Sequence, residues 1–167
     1  MNINKLKNLK FYFFLFSLLI LFLFFYLFTD TLQKDKKLVL KPIAINLLTS
    51  VHPNLPWSFK PVKQKVLVKP GDVTTIEYVV ENLGDINTTG IATFAYFPKK
   101  FGTYVNKINC FCYDAQTLKP KQEEKFTLIL LIDPEVAKDN KTKGIKEATI
   151  QFIFFDYKEY KKIEKES

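Results

Sequence analysis

Two cysteines separated by a single residue are the clearest candidates for chemistry in this sequence. Cys110 and Cys112 flank Phe111 and are the only cysteines among its 167 residues. They lie in a largely apolar stretch, Val105–Tyr113, of the kind that forms a β-strand. Because side chains alternate across a strand, residues i and i+2 point to the same side. We therefore expect the two thiols to face one way and Phe111 to pack into the core.

Several kinds of chemistry are open to such a pair. A disulfide would close a loop that removes little unfolded-chain entropy, and same-face strand neighbours lie about 6–7 Å apart at Cα, near the limit for that bond. A redox-active dithiol is a second hypothesis, although the usual redox spacing has two intervening residues. Two inert buried thiols are a third. We favour a soft metal ion, because thiolates select Cu(I) and, less strongly, zinc.

The other potential ligands favour Cu(I) over zinc. Zinc sites usually have four ligands, and the chain has only one histidine, His52, which we expect at the surface, and one methionine. A blue-copper centre needs two histidines, whereas Cu(I) accepts two or three thiolates. Cys110 and Cys112 are therefore the predicted copper ligands. Sharing an ion between two chains would add sulfur ligands, so we expect a homodimer when copper is bound.

Residues beside the cysteines have open roles. Lys107 and Lys119 flank the pair, and a nearby cation can lower a thiol pKa, dock an acidic partner or simply be solvated. Tyr113 either shields the ion from water or fills the surface. Trp57, between Pro56 and Ser58, is expected to anchor the core or an edge.

An uncharged apolar segment near the amino terminus predicts a membrane anchor. Residues 11–28 contain no charge and, as a helix, would extend about 27 Å, close to the bilayer's hydrocarbon thickness. A cleaved signal peptide is the alternative, but the run is longer than usual and residues 29–32 offer no small-residue cleavage site. We predict an uncleaved single span preceded by a short cytoplasmic stub, residues 1–10.

Charge and composition bear on location and partners. The chain has 25 lysines, no arginine and 17 acidic residues, without a nucleic-acid-binding motif, so we exclude a nucleic-acid partner. Lysines flank both sides of residues 11–28, but a long following domain crosses the membrane largely regardless of charge. No Arg- and Ser-rich transit segment precedes the anchor. We expect a bacterial inner membrane, with the main domain in the periplasm.

The remaining sequence predicts an all-β antiparallel sandwich. A tether, residues 29–54, precedes a domain at 55–156, and a charged tail follows at 157–167. Short strands separated by turn residues are typical of such a sandwich. The predicted strands are 63–68, 73–81, 91–97, 105–113, 125–132 and 147–155.

The cysteine block resembles a known family. Lys107–Tyr113, followed by Gln116–Pro120, is similar to the corresponding region of the CtaG-type cytochrome c oxidase assembly proteins. Weaker matching blocks bring the resemblance to roughly residues 55–155; they are Leu55–Pro61, Pro70–Asp72, Gly90–Thr93, Asp133–Glu135 and Phe152–Phe155. It implies a single-span anchor and an immunoglobulin-like sandwich facing the periplasm. It also implies delivery of Cu(I) to the copper B centre of oxidase subunit I.

The sequence departs from the family pattern at three places. Tyr113 stands where the family has phenylalanine, and Lys121 where it has glycine. Residues 30–54 contain no cysteine, although the family usually carries a third one there. We expect a copper chaperone that receives its ion from a donor protein and is not an enzyme. The alternatives are a membrane-tethered thiol-disulfide oxidoreductase acting on other copper proteins and a scaffold with incidental cysteines.

Overall fold

The computed structural model describes residues 3–32 and 40–166, with side chains at 13–27 and 40–165. The chain divides into two compact units, Met1–Val39 and Leu40–Ser167. The first contains helix α1, Ile3–Leu32, whose sequence has no proline or glycine to interrupt it. The predicted anchor, residues 11–28, falls within α1, but its side chains at 11, 12 and 28 lie outside the described residues.

Membrane insertion of α1 stays a prediction. The described apolar side chains of this helix are exposed, as at Phe22 and Phe24. Counting only residues with a described placement, no helix is long and apolar enough to cross a membrane.

Nine strands in two sheets form the second unit. The strands are β1 (Ile43–Val51), β2 (Trp57–Pro61), β3 (Lys65–Val68), β4 (Val73–Asn82), β5 (Thr88–Phe97), β6 (Val105–Cys110), β7 (Gln116–Leu118), β8 (Glu123–Ile132) and β9 (Glu147–Asp156). One sheet has the order β3-β1-β9-β5-β7 and the other β2-β4-β8-β6. The chain ends with helix α2 (Tyr157–Glu166). The all-β prediction is confirmed, and each predicted strand has an observed counterpart.

The predicted tether contains a strand that the sequence did not reveal. Ile43–Val51 is β1, which lies between β3 and β9 in the five-stranded sheet. Its pairing with β9 is parallel, so the sheet is not purely antiparallel as predicted. Ile43, Ile45 and Leu47 are buried and follow a period of two, but outward-facing apolar residues Ala44 and Leu48 obscure it. The compact unit therefore begins before residue 55, at Leu40.

Residues 157–166 of the predicted charged tail form helix α2. Asp156 accepts hydrogen bonds from the backbone N–H groups of Lys158 (2.9 Å) and Glu159 (3.1 Å), which caps α2. Asn54 in turn donates to the carboxylate of Glu159 at 2.8 Å, which links the helix to the loop after β1. A capping side chain therefore starts a helix where we predicted only a tail.

An aromatic cluster fills the space between the sheets. Phe59, Tyr78 and Phe154 lie near its centre, with ring centroids 5.4 Å apart for the first two and 4.9 Å for Phe59 and Phe154. Such tilted and edge-on pairs add about 0.5–1.5 kcal/mol each beyond the burial of apolar area. Trp57 is buried, as predicted, and its indole N–H donates to Thr88 Oγ1 at 2.7 Å.

Candidate metal centre

The cysteine pair lies where a strand turns into a short helix. β6 ends at Cys110, and Phe111–Tyr113 form a single 3-10 turn. The backbone N–H of Cys112 donates to the sulfur of Cys110 at 3.2 Å, so the first cysteine caps the turn. The predicted strand, residues 105–113, is therefore wrong beyond Cys110, because the chain turns there to bury Phe111.

The two sulfurs meet and are bonded to each other in this structure. Cys110 and Cys112 form a disulfide with an S–S distance of 2.00 Å and a Cα–Cα distance of 5.0 Å. Strand neighbours on one face would be about 6–7 Å apart, so the 3-10 turn draws the two residues closer than strand alternation would. The two sulfurs do lie on the same side of the chain, as expected, but the 3-10 turn brings them there and not the alternation of a strand.

The bonded pair is shielded from solvent. Cys110 is 4% exposed and Cys112 is 9% exposed. A disulfide has no thiolate to offer a metal, because only the deprotonated thiol is a ligand. Metal binding at these sulfurs thus needs two electrons to reduce the bond, together with a local movement that lets a partner approach.

Phe111 anchors the turn in the core, as predicted. It is 8% exposed. Its ring lies 5.0–5.8 Å, centroid to centroid, from the rings of Phe59, Tyr78, Phe126, Phe152 and Phe154. Both sheets contribute to this ring of contacts. The residue between the cysteines therefore fixes the position of the sulfurs relative to the whole sandwich.

Polar contacts tie the outer side of the turn. The hydroxyl of Tyr113 donates to the backbone carbonyl of Lys107 at 2.7 Å. The amide of Gln116 donates to the carbonyls of Phe111 (3.1 Å) and Asp114 (3.2 Å). These contacts involve groups that the sequence motif alone did not connect with the cysteines.

The structure distinguishes the two lysines that flank the pair. Lys119 is exposed, whereas Lys107 is half-buried, with Nζ 2.7 Å from the ring centroid of Phe94. Burial lowers the pKa of Lys107 to about 8. Only Lys107 is thus held in a fixed place, and sequence reasoning missed Phe94 because it lies on the other sheet.

His52 is not part of this arrangement. Its ring stacks on Phe155 at 5.5 Å between centroids, and its Nδ1 lies 3.9 Å from the carboxylate of Glu159. The side chain is 40% exposed, in agreement with the surface position predicted for it. Within the described parts of the chain, no cluster of three or more His, Cys, Asp or Glu residues is arranged to hold a metal.

These features define a class: a two-sheet sandwich domain with a Cys-x-Cys pair in a turn at the end of an edge strand, held by a core aromatic residue. The chain belongs to the family described as cytochrome c oxidase assembly protein CtaG/Cox11, whose profile matches residues 27–156. The resemblance seen in the sequence is thereby confirmed.

Individual relatives agree with this assignment. A cytochrome c oxidase assembly protein CtaG of Sinorhizobium medicae is 35% identical over 128 residues, 76% of this chain and 65% of the relative. One of Bradyrhizobium diazoefficiens is 33% identical over 121 residues, 72% of this chain and 56% of the relative. The chain therefore spans less than two-thirds of the length of either relative. Among solved structures, the ASH/PapD-like domain of human CEP192 is 12% identical and covers 70% of this chain and 84% of its own, with a TM-score of only 0.30.

Proposed function

We propose that this protein is a membrane-anchored copper chaperone that delivers Cu(I) to the copper B centre of cytochrome c oxidase subunit I. The observation that carries the proposal is the convergence of the two sulfurs of Cys110 and Cys112 in one turn. Membership of a family of cytochrome c oxidase assembly proteins supports the oxidase as the acceptor.

The chemistry begins with the reduced pair. A dithiol reductant gives two electrons and two protons to the disulfide, which becomes two thiols while the reductant is oxidised to its own disulfide. Cu(I) then displaces the two thiol protons when it binds both sulfurs. Two-coordinate Cu(I) has room for a further ligand, so the acceptor can bind the ion before the second sulfur dissociates from it. No covalent bond of a substrate is made or broken, and the protein acts as a carrier, not as an enzyme.

Location and partners follow from the same proposal. The apolar segment at residues 11–28 anchors the chain in a bacterial inner membrane, with an immunoglobulin-like domain in the periplasm. Confinement to the membrane raises the effective concentration of the carrier near a membrane-embedded acceptor. A donor protein supplies Cu(I), and a homodimer forms when copper is bound because two chains together offer four sulfurs.

Copper content and oxidase assembly test the proposal. Full-length protein, reduced in detergent, should bind Cu(I), whereas Cys110→Ser and Cys112→Ser should each lose most of it. Cells carrying either variant should assemble an oxidase that lacks copper B. Ala95→Ser, an outward-facing change on β5, is the control and should behave as wild type. Unchanged copper binding and a complete oxidase in both cysteine variants would refute the proposal.

The disulfide itself gives one observation in favour of the rival function, a thiol-disulfide oxidoreductase. Against it, both sulfurs are almost fully buried, whereas exchange requires a thiolate to reach one of them. The rival predicts catalytic turnover of a model protein disulfide by the full-length protein. We expect stoichiometric Cu(I) binding without such turnover, and sustained turnover would favour the rival.

A further inference from the structure

A bulge in β6 places the side chain of Lys107 on the same face of the strand as the side chain of Cys110. The register pairs Lys107 with Leu130 and Cys110 with Leu128, and it shifts between Lys107 and Asn109. Leu128 and Leu130 are fully buried, so their partners face the interior. In a regular strand, residues three apart would point to opposite faces. The extra residue, Ile108, therefore brings the lysine onto the cysteine side, a common use of bulges beside functional sites.

The ammonium group of Lys107 is held in a defined position. Nζ lies 2.7 Å from the ring centroid of Phe94, on the opposite sheet, and 5.7 Å from that of Tyr113. Tyr113 also holds the backbone of Lys107 through its hydroxyl. Lysine over an aromatic face is a favourable pairing, and it limits the freedom of an otherwise flexible side chain. The Cα atom of Lys107 lies about one same-face repeat, roughly 7 Å, along the strand from that of Cys110.

In the disulfide form, this cation has no paired anion among residues 40–165. Within residues 40–165, none of the ion pairs involves Lys107. Burial lowers the pKa of its ammonium group. A half-buried charge without a counterion is unfavourable, and buried charges in proteins are usually paired or coordinate a metal.

Reduction and copper loading would supply that partner charge. Two thiolates and one Cu(I) carry a net charge of −1 in a largely buried site. We infer that Lys107 is the electrostatic positioning residue of the copper site, and that its ammonium group neutralises the copper-bis(thiolate) unit and strengthens Cu(I) retention. This inference rests on the proposed function. The rings of Phe94 and Tyr113 support this role because they hold the ammonium group of Lys107 in position.

The test compares Cu(I) affinities of reduced full-length variants by competition with a chromophoric Cu(I) chelator. Lys107→Met, which keeps an apolar stem but removes the charge, should bind Cu(I) about tenfold more weakly, because the attraction between the ammonium group and the net negative copper unit is lost. Lys107→Arg should stay close to wild type because it keeps the charge and stacks on aromatic rings. Lys125→Met removes an exposed charge from β8 and should change nothing.

Each outcome distinguishes the inference from the broader proposal. If wild type binds Cu(I) through its cysteines but Lys107→Met and a second neutral variant, Lys107→Gln, bind equally tightly, the inference fails alone. Loss of affinity in Lys107→Arg as well would indicate packing instead of charge and would also overturn it. If wild type itself does not bind Cu(I) through Cys110 and Cys112, the proposed function fails and the role of Lys107 falls with it.

Discussion

At the scale of single residues, Tyr78 stands out because it combines complete burial with an unpaired hydroxyl group. Its side chain is fully buried within the aromatic cluster, yet its hydroxyl is the one buried side-chain polar atom in the described residues that lacks a hydrogen-bond partner. Burial raises the pKa of this phenol well above its ordinary value. An unsatisfied buried hydroxyl costs free energy that phenylalanine would not, so the residue is not optimal for stability.

Tyr78→Phe should therefore stabilise the domain. We expect the free energy of unfolding to rise by about 1 kcal/mol, since the change removes only an unpaired polar group. Urea unfolding followed by circular dichroism measures it. The control is Tyr104→Phe, which loses the 2.6 Å hydrogen bond to Asp139 and should lower stability by about 1 kcal/mol. A destabilised Tyr78→Phe variant would mean that the hydroxyl has a partner in solution.

The cysteine pair shows how far residue-level reasoning from the sequence reaches. Spacing alone predicted that the sulfurs of Cys110 and Cys112 would face the same side and that Phe111 would point inward, and both are observed, although the disulfide itself was not the favoured expectation. It did not predict the 3-10 turn at Phe111–Tyr113, because an apolar sequence of this kind is equally compatible with a strand. It could not single out Lys107, whose distinction from Lys119 depends on a bulge and on Phe94 from a distant strand.

At the scale of elements, the turn between β7 and β8 departs from the family pattern at a conformationally demanding place. Lys121 occupies the position where the resemblance in the sequence led us to expect glycine, and its φ is +57°. This left-handed region costs a residue with a Cβ about 1–2 kcal/mol relative to glycine. Its side chain offsets part of this by donating to the carbonyl of Leu83 at 2.6 Å and pairing with Asp85 at 3.1 Å.

Comparing two variants isolates the backbone cost at this turn. Lys121→Gly and Lys121→Ala both lose the side-chain contacts, but only glycine adopts a positive φ without strain. We expect the glycine variant to be more stable than the alanine variant by about 1 kcal/mol, measured by denaturant midpoints. Equal stabilities would show that the turn relaxes to a different conformation when the lysine side chain is absent.

Strand β1 shows which elements the sequence could not predict. The strands with clear alternation and flanking turn residues were predicted to within a few residues, as for β4 and β8. β1, β2 and β7 were not predicted. β1 was missed because its outward positions are also partly apolar, and β2 and β7 because five and three residues give too short a pattern. In all three cases, pairing with other strands decides the structure.

At the scale of the whole molecule, β1 decides where the folding unit begins. A chain that starts at Leu40 retains β1 between β3 and β9 and should unfold cooperatively. A chain that starts at Leu55 exposes edges of both strands and the buried residues that β1 covered, so we expect it to be unfolded or aggregated. Circular dichroism and size-exclusion chromatography distinguish the two. A cooperatively folded chain from Leu55 would contradict the central role of β1.

Reduction of the disulfide should leave the domain folded. A cross-link between residues two apart removes little entropy from the unfolded chain, so reduction should lower the free energy of unfolding by no more than about 2 kcal/mol. Urea unfolding with and without a reductant measures the difference. The Cys110→Ser/Cys112→Ser double variant, which should not respond to reductant, is the control. Unfolding on reduction alone would exclude a folded carrier with free thiols.

The pairing of β1 with β9 has a consequence for biosynthesis. The first strand of the domain pairs with β3 on one side, but its partner on the other side is the last strand, more than a hundred residues later. Phe152 and Phe154 on that last strand pack against Phe111. While the nascent chain is still emerging, the cysteine turn lacks this cover. The sulfurs are therefore most accessible to oxidants, reductants and copper donors before synthesis ends. Their accessibility falls when β9 pairs with β1 and covers the turn.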